Sequence, residues 1–283
     1  MRPPSALLTW GLKAIGVGLF LWILSRLDAA QVFSTLRSAS PLYVAIAFLL
    51  FLPIYLAKAW RWHVLVRGAG IDESFRNSFA LSCASMFLGV VTPGKIGEAY
   101  KIPALRARGA SLKTGVELTV LDRFFDVGWI AALAIPSVGL LFGMQWAGFT
   151  LGIALVAAVA GFLHPRTRGW LLASQKMLVP ALVITTITWI LYFLQLFILA
   201  EGFALAIDPV TFVAIMTIVG ILSILPIAPY GLGTREAALL FFLAPLGVEP
   251  SRIVAFSFSI FLLTLIASLP GGFYWLTMPH PAP

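Results

Sequence analysis

The sequence predicts an all-α, polytopic integral membrane protein, and its composition and hydropathy carry that prediction. Of the 283 residues, 60% are hydrophobic and 11% are charged, against about 25% charged in a typical soluble domain. The mean hydropathy is +1.00. A soluble globule of this length must cover itself with polar groups and cannot bury so much apolar surface. These values exclude a soluble enzyme, a disordered chain and a fibrous protein.

Six apolar runs are predicted to cross the bilayer, whose hydrocarbon core requires roughly 20 residues per helix. They cover residues 9–24, 41–59, 115–142, 146–163, 179–206 and 251–276. The first run begins with basic residues, as a signal peptide does. Because no clear small-residue cleavage site precedes Gln31, we expect this run to remain as an uncleaved first span.

Two further apolar runs, residues 78–91 and 210–225, stop at breaks rich in proline and glycine. The first break, residues 92–98, reads Thr-Pro-Gly-Lys-Ile-Gly-Glu, and the second, residues 226–233, reads Pro-Ile-Ala-Pro-Tyr-Gly-Leu-Gly. Helices are predicted to begin at about Ile96 in the first half and, in the second half, to cover residues 234–244. Irregular backbone is not tolerated against lipid, so the breaks must lie inside protein or in a wet cavity. Both runs are therefore predicted to be re-entrant hairpins that enter and leave on one side.

The distribution of basic residues predicts the orientation of the chain. The sequence has 19 lysine and arginine residues and 11 acidic residues, which gives a formal net charge of +8. In membrane proteins, basic residues gather in the cytoplasmic loops. With both hairpins re-entrant, the basic loops fall on one side, so we expect both termini in the cytoplasm of a bacterial-type inner membrane. One basic patch follows the second span and contains Lys58, Arg61, Arg67 and Arg76. We interpret this patch as a signal for orientation, with the collection of anionic lipid headgroups as the alternative.

The order of spans and hairpins predicts an inverted repeat. Residues 1–143 and 144–283 each read span, span, hairpin, span, with opposite orientations, and they form one transmembrane domain. The two breaks also match, since residues 93–98 and 229–236 each combine a proline, two glycines, a basic residue and a glutamate. Inverted halves with interrupted segments at equivalent positions indicate a transporter fold with its site near the midplane. The alternative is that proline and glycine are simply frequent in membrane helices.

Three segments and one tripeptide resemble a known family. Residues 121–126, Leu-Asp-Arg-Phe-Phe-Asp, are similar to an acidic-Arg-hydrophobic-hydrophobic-Asp stretch of the lysylphosphatidylglycerol synthase transmembrane region, or flippase-like domain, family, with Asp122 where Glu is expected. Residues 92–101 resemble its P-G-x-x-G-[DE]-x-x-[RK] segment, and residues 226–237 resemble its P-x-x-P-x-G-x-G-x-R-E segment. The tripeptide Trp60-Arg61-Trp62 also fits. The resemblance covers essentially the whole chain.

The resemblance implies a membrane domain that handles lipids. In bifunctional members this domain carries an aminoacylated phospholipid across the bilayer, while a separate soluble domain attaches the amino acid. Because this sequence ends at Pro283, just after the last predicted span, we expect a free-standing member without the synthase domain. Free-standing members handle varied lipids, so the resemblance does not name the substrate.

Charged residues of the third span and of the breaks are the candidate substrate-binding residues. Ionisable side chains at membrane depth cost about 2.5–3.5 kcal/mol each, so they face a cavity or a partner. Asp122 and Asp126 are four residues apart and share a helix face, and Arg123 can pair with Asp126. At the breaks, helix N-termini attract anions, glycines admit a ligand to the backbone, and basic residues add charge. The candidate set is Pro93, Gly94, Lys95, Gly97, Glu98, Lys101, Asp122, Arg123, Asp126, Pro229, Gly231, Gly233, Arg235 and Glu236.

Each of these groups has an alternative interpretation without a ligand. The third-span charges can be an internal ion-pair cluster that fixes the helix, and Arg123→Ala would then strand Asp122 or Asp126. Glu98 and Glu236 can cap the helices after the breaks or pair with Lys95 and Arg235. Because adjacent positions on a helix do not face one another, we expect Arg235 to be at least partly free to bind a ligand.

The predicted function is a carrier that moves an anionic, phosphate-bearing lipid between leaflets. Two alternatives remain: a membrane-embedded enzyme or accessory subunit of lipid or envelope biosynthesis using Asp122, Asp126 and Glu98, and a proton-coupled transporter of small solutes. No nucleophile, metal-ligand spacing or P-loop is evident, so neither catalysis nor a cofactor is expected. Cys83 is the single cysteine, which excludes an intrachain disulfide. The expected partners are a membrane lipid and the bilayer, with no nucleic acid, and beyond these a second copy of the chain or an enzyme of lipid biosynthesis.

Overall fold

The fold is a bundle of helices. The computed structural model describes residues 29–92, 95–163, 165–223 and 231–277, together with Gly18, Trp22, Ile23 and Ser25. The helices are α1 (Ala29–Ser38), α2 (Pro41–Leu49), α3 (Phe51–Gly68), α4 (Phe75–Val91), α5 (Lys101–Arg106), α6 (Leu112–Phe142), α7 (Met144–Leu163), α8 (Pro165–Gly202), α9 (Pro209–Leu222), α10 (Thr234–Leu243) and α11 (Pro250–Thr277). Two short 3₁₀ helices, Ile96–Tyr100 and Ala244–Leu246, precede α5 and follow α10. No strand occurs in these described ranges.

Long apolar helices make this a multi-pass membrane protein. Within the described part of the chain, four stretches are long and apolar enough to cross a bilayer: Pro41–Gly68, Leu112–Phe142, Lys176–Gly202 and Pro250–Thr277. Helix α7 has 20 residues and is about 30 Å long at 1.5 Å per residue. The all-α, polytopic prediction is therefore confirmed. The first predicted span, residues 9–24, lies almost entirely outside the described residues.

The second predicted span is longer than its hydropathy indicated, and this changes the site. The apolar run ends at residue 59, but helix α3 continues to Gly68. Hydropathy reports the cost of leaving water, whereas a helix continues as long as its backbone hydrogen bonds are made. Lys58 and Arg61 therefore lie within a helix of the bundle, and the prediction that they belong to a cytoplasmic loop patch is wrong.

The two interrupted runs form short helices with well-defined starts. Helix α4 has 17 residues and α9 has 14, about 25 and 21 Å, which is less than the roughly 30 Å of the hydrocarbon core. Helix α4 begins at Phe75 because Ser74 Oγ accepts a hydrogen bond from the Asn77 amide at 3.2 Å. Helix α9 begins after Asp208, whose carboxylate accepts from the amides of Thr211 and Val210. The Thr211 amide in particular holds the pKa of Asp208 below its usual value.

The short helices pack on the long helices of the opposite half of the sequence. Helix α4 lies along α11, α9 lies along α6, and α3 packs on α8. The closest approach is at Gly271 of α11, where a Cβ atom would lie 2.1 Å from the backbone oxygen of Cys83 in α4. A large apolar core surrounds Phe212 and Phe256, and a smaller one surrounds Trp62. The smaller core adjoins the charged residues described next.

Candidate functional site

Arg61, on helix α3, is the most buried cation among the described residues. Its side chain is 1% exposed. Its Nε donates to Asp122 Oδ1 at 2.8 Å, and its Nη1 donates to Asp126 Oδ1 at 2.7 Å and to Thr185 Oγ1 at 3.1 Å. The two aspartates share a face of α6, as their spacing predicts. One guanidinium therefore binds both carboxylates and joins helices α3, α6 and α8.

Lys101 is the second buried cation at this site. It is the first residue of α5, after the first break, and its Nζ donates to Asp122 Oδ2 at 2.6 Å. The same Nζ lies 4.3 Å from the ring centroid of Trp62, within the range of a cation–π interaction. Asp122 is thus held between two cations, and its side chain is 3% exposed. This arrangement ties the segment after the break to α3 and α6.

Two further cations border the buried pair. Lys58 Nζ lies 3.4 Å from Asp126 Oδ2. Arg123 Nη2 contacts Glu98 Oε2 and lies 3.7 Å from Asp126 Oδ2 and 4.0 Å from Asp122 Oδ2. The predicted Arg123–Asp126 pair is therefore present, but Arg123 hydrogen-bonds to Glu98, the last residue of the first break. We call the following set the charged cluster: Lys58, Arg61, Glu98, Lys101, Asp122, Arg123 and Asp126.

In the charged cluster, the three carboxylates are less exposed than the cations Lys58 and Arg123. The carboxylate side chains of Asp122, Glu98 and Asp126 are 3%, 9% and 14% exposed. Lys58 and Arg123 are 28% and 31% exposed. The accessible rim of the cluster is therefore cationic, and its interior holds the carboxylates.

The first break is folded tightly against the end of α4. Thr92 Oγ1 donates to the Leu88 carbonyl at 2.6 Å and accepts from the Gly97 amide at 2.8 Å. A Cβ atom at Gly97 would lie 2.3 Å from the Leu88 oxygen, so only glycine fits there. Lys95 adopts a left-handed backbone, with φ of 58°, and is exposed. The predicted site residues Pro93 and Gly94 lie outside the described residues.

A regular helix does not begin directly after the first break, contrary to the prediction. Residues Ile96–Tyr100 form one 3₁₀ segment, and α5 has only six residues. Within this segment, Gly97 packs closely against the backbone of Leu88. An anion at the first break would therefore interact with charged side chains and not with the dipole of a long helix.

At the second break, Arg235, Glu236 and Ser257 form a buried polar group in which the charges of Arg235 and Glu236 cancel. Arg235 Nε donates to Ser257 Oγ at 2.7 Å and its Nη2 donates to the Ser257 carbonyl at 2.8 Å. Ser257 Oγ in turn donates to Glu236 Oε1 at 2.7 Å, and Glu236 Oε2 accepts from the Gly233 amide. Arg235 is 4% exposed and Glu236 is fully buried. Gly231 and Gly233 both have positive φ, at 74° and 85°, and Pro229 lies outside the described residues.

Arg235 contacts Glu236, although adjacent positions on a helix do not face one another. Arg235 Nη2 lies 3.4 Å from Glu236 Oε1, because both long side chains reach the same serine on α11. Glu236 also caps α10, as the alternative interpretation of this break expected. The described contacts of Arg235 and Glu236 thus join α10 to α11.

Comparison with known proteins identifies the family. The family described as the lysylphosphatidylglycerol synthase TM region matches residues 10–272. This chain belongs to that family. A "UPF0104 membrane protein" of Methanothermobacter thermautotrophicus is 22% identical over 291 residues, covering 85% of this chain and 86% of the relative. A second UPF0104 membrane protein, from Archaeoglobus fulgidus, is 27% identical over 139 residues, covering 48% of this chain and 42% of the relative.

In this member of the lysylphosphatidylglycerol synthase TM region family, the family-like segments of the first half converge. Residues 60–62, 92–101 and 121–126 supply six of the seven members of the charged cluster, and Lys58 completes it. The segment 226–237 builds the separate Arg235–Glu236–Ser257 group. Sequence reasoning missed Arg61 and Lys58 as site residues. Their spacing of three residues, which places them on one helix face, was the available signal.

Proposed function

We propose that the charged cluster binds the anionic, phosphate-bearing headgroup of a membrane lipid and that the protein moves this lipid between leaflets. The observation that carries the proposal is the cationic rim, because Lys58 and Arg123 are the accessible charges while the carboxylates are enclosed. Arginine can hold a phosphate through two parallel hydrogen bonds. A headgroup that approaches the rim therefore meets donors before it meets carboxylates.

The charge balance of the cluster supports an anionic ligand. Its four cations face three carboxylates, which leaves one positive charge in excess. Lys58 also lies in the positive field of Lys95, from the first break. Uncompensated charge at membrane depth is costly, and an anion would neutralise it. The Arg235–Glu236 pair, by contrast, is neutral in itself.

The family supports lipid as the ligand. Its description names the transmembrane region of a synthase of lysylphosphatidylglycerol, a phosphate-bearing lipid that carries a lysine. The alternative of a membrane-embedded enzyme needs a free acid or base. Asp122, Asp126 and Glu98 are each bound by a cation, which favours binding over acid–base chemistry.

The packing between the halves supports movement by alternating access. In the predicted repeat, α3, α4 and α6 of residues 1–143 correspond to α8, α9 and α11 of residues 144–283. The contact of α4 with α11 therefore corresponds to the contact of α9 with α6, and the contact of α3 with α8 corresponds to itself. A glutamate at each break also hydrogen-bonds to the long helix that follows it. Glu98 accepts from Arg123 on α6, and Glu236 accepts from Ser257 on α11. This exchange is the relation that inverted repeats require. We infer that the short helices rock against the long helices of the opposite half.

Leaflet exchange in reconstituted vesicles tests the proposal. A fluorescent phosphatidylglycerol, quenched from outside, should change leaflets faster with the protein than in empty vesicles, without a change in lipid mass. Arg123→Gln should slow this exchange about ten- to hundredfold, because hydrogen bonds to charged groups contribute about 1.5–3 kcal/mol.

The matched control for this test is Lys113→Gln on the same helix. Lys113 is 84% exposed and only 3.9 Å from Glu117, a surface pair, so we expect exchange at the wild-type rate. Wild-type exchange by Arg123→Gln would contradict the site. A change in lipid mass would instead support the enzyme alternative.

We also propose the orientation expected from the basic loops, with Arg106 on the cytoplasmic side and Met144 outside. Both residues are exposed, and Cys83 is buried. In a Cys83→Ser background, Met144→Cys should react with an impermeant maleimide in intact cells. Arg106→Cys should react only after permeabilisation. The reverse pattern would overturn the orientation.

A further inference from the structure

Arg123 has a double role in the charged cluster, as an accessible cation and as the counter-ion of Glu98. Among the described residues, Glu98 forms its ion pair with Arg123 alone. Asp122 keeps Arg61 and Lys101, and Asp126 keeps Arg61 and Lys58, whatever Arg123 does. Any anion that binds Arg123 therefore competes with one carboxylate in particular, that of Glu98.

Glu98 is held in a place where an unpaired negative charge is expensive. Its side chain is 9% exposed. It lies against the backbone of α4 at Gly89, where a Cβ atom would be 2.7 Å from Glu98 Cγ and 3.1 Å from Oε1. The carboxylate is thus enclosed between α4 and Arg123, with little access to water. A buried carboxylate that loses its cation takes up a proton, because burial disfavours its charged form.

We infer that binding of a phosphodiester anion to Arg123 is coupled to protonation of Glu98. The anion takes the Arg123 guanidinium, the Arg123–Glu98 ion pair breaks, and one proton from water binds a carboxylate oxygen of Glu98. The loaded site gains one negative charge and one proton, so its net charge is unchanged. This inference rests on the proposed function, and it supplies a route by which a proton gradient drives lipid movement.

The neighbouring titratable groups single out Glu98 as the proton acceptor. Helix α6 contributes Asp122, Arg123 and Asp126, and α3 contributes Lys58 and Arg61. The first break contributes Lys95, and α5 contributes Lys101. The aspartates remain ion-paired after Arg123 is taken. The lysines and arginines already carry their protons. Glu98 is the member of the cluster whose charge loses its partner.

Calorimetry of the purified protein in detergent tests the coupling. Dihexanoyl phosphatidylglycerol is titrated into the protein in buffers of different ionisation enthalpy, which reports the protons taken up per lipid bound. We expect about one proton per lipid, and an affinity that weakens by up to about tenfold per pH unit as the pH rises. Dimethyl phosphate has the same charge without acyl chains. Tighter binding of the lipid identifies a lipid site, and tighter binding of dimethyl phosphate identifies a site for a free phosphodiester, with proton uptake expected for both.

Two variants locate the proton. Glu98→Gln, which mimics the protonated form, should bind the lipid at least as tightly, with no proton uptake and no dependence of affinity on pH. Glu117→Gln, on the surface of α6 and 42% exposed in its side chain, should behave as the wild type. Infrared difference spectra of the wild type should also show a buried carboxylic acid appearing on lipid binding, a readout that does not depend on the folding of a variant.

The outcomes separate this inference from the proposed function. Lipid binding without proton uptake by the wild type, or unchanged uptake by Glu98→Gln, overturns the coupling and leaves the headgroup site standing. No binding of either probe by the wild type overturns both.

Discussion

Replacing Arg61 with alanine should destabilise the protein by about 3–5 kcal/mol, the usual cost of removing one partner from a buried ion pair. Arg61 is 1% exposed and binds Asp122, Asp126 and Thr185. Its loss leaves the two carboxylates with only Lys101, Lys58 and the more distant Arg123, and it opens a cavity between α3, α6 and α8. We expect a large drop in the thermal unfolding midpoint in detergent and a low yield of folded protein.

Arg67→Ala is the control for this prediction. Arg67 lies on the same helix, is 54% exposed and pairs with Asp72, which is 96% exposed. Exposed pairs contribute about 0–1 kcal/mol, so this variant should unfold near the wild-type temperature. An Arg61→Ala midpoint equal to that of Arg67→Ala would show that Arg61 is not buried in an ion pair.

The structure predicts the larger folding defect for replacement of Arg61, whereas the sequence predicts it for replacement of Arg123. The sequence suggested that Arg123→Ala would strand Asp122 or Asp126. In the structure, Arg61, Lys101 and Lys58 hold those aspartates, and Arg123 is 31% exposed and hydrogen-bonded to Glu98. Loss of Arg123 leaves the aspartates paired and strands only Glu98, which can take up a proton. It should therefore affect lipid exchange more than folding.

Gly271→Ala should have the second large effect, on the packing of α4 against α11. The new Cβ atom would lie 2.1 Å from the Cys83 oxygen and 2.6 Å from the Cys83 carbonyl carbon. Both are backbone atoms, which cannot rotate away as a side chain can, so the two helices must separate. Overpacking of this kind costs about 1–3 kcal/mol and occasionally more. We expect a clear loss of thermal stability in detergent and slower lipid exchange, because the contact joins the two halves.

Gly128→Ala on α6 is the matched control, since a Cβ atom there would meet nothing within 4 Å. Alanine is favoured over glycine in a helix by about 1 kcal/mol, so this variant should be as stable as the wild type or more stable. Equal stability of Gly271→Ala and Gly128→Ala would contradict the close approach of α4 and α11.

Local features of the sequence were sufficient to predict the class of protein and its interruptions. Hydropathy depends on each segment's own transfer from water to lipid, so the apolar runs predicted the long helices with errors confined to their ends. Proline and glycine chemistry predicted helix ends at residues 91 and 225, and the structure ends α4 at Val91 and α9 at Leu222. The shared face of Asp122 and Asp126 followed from helical periodicity alone.

The partners of the charges were decided only by the tertiary structure. Arg61 and Asp122 are 61 residues apart, and their contact depends on how α3 lies against α6. No local pattern in the sequence predicts how two distant helices pack. The sequence therefore predicts Arg61 in a loop and Arg123 as the partner of the aspartates. The same holds at the second break, where Ser257, 22 residues beyond Arg235, gathers Arg235 and Glu236 into one group. Charge and spacing thus indicated which segments carry polar groups into the helix bundle. The packing of distant helices determined which cation neutralises which carboxylate and which cations remain accessible.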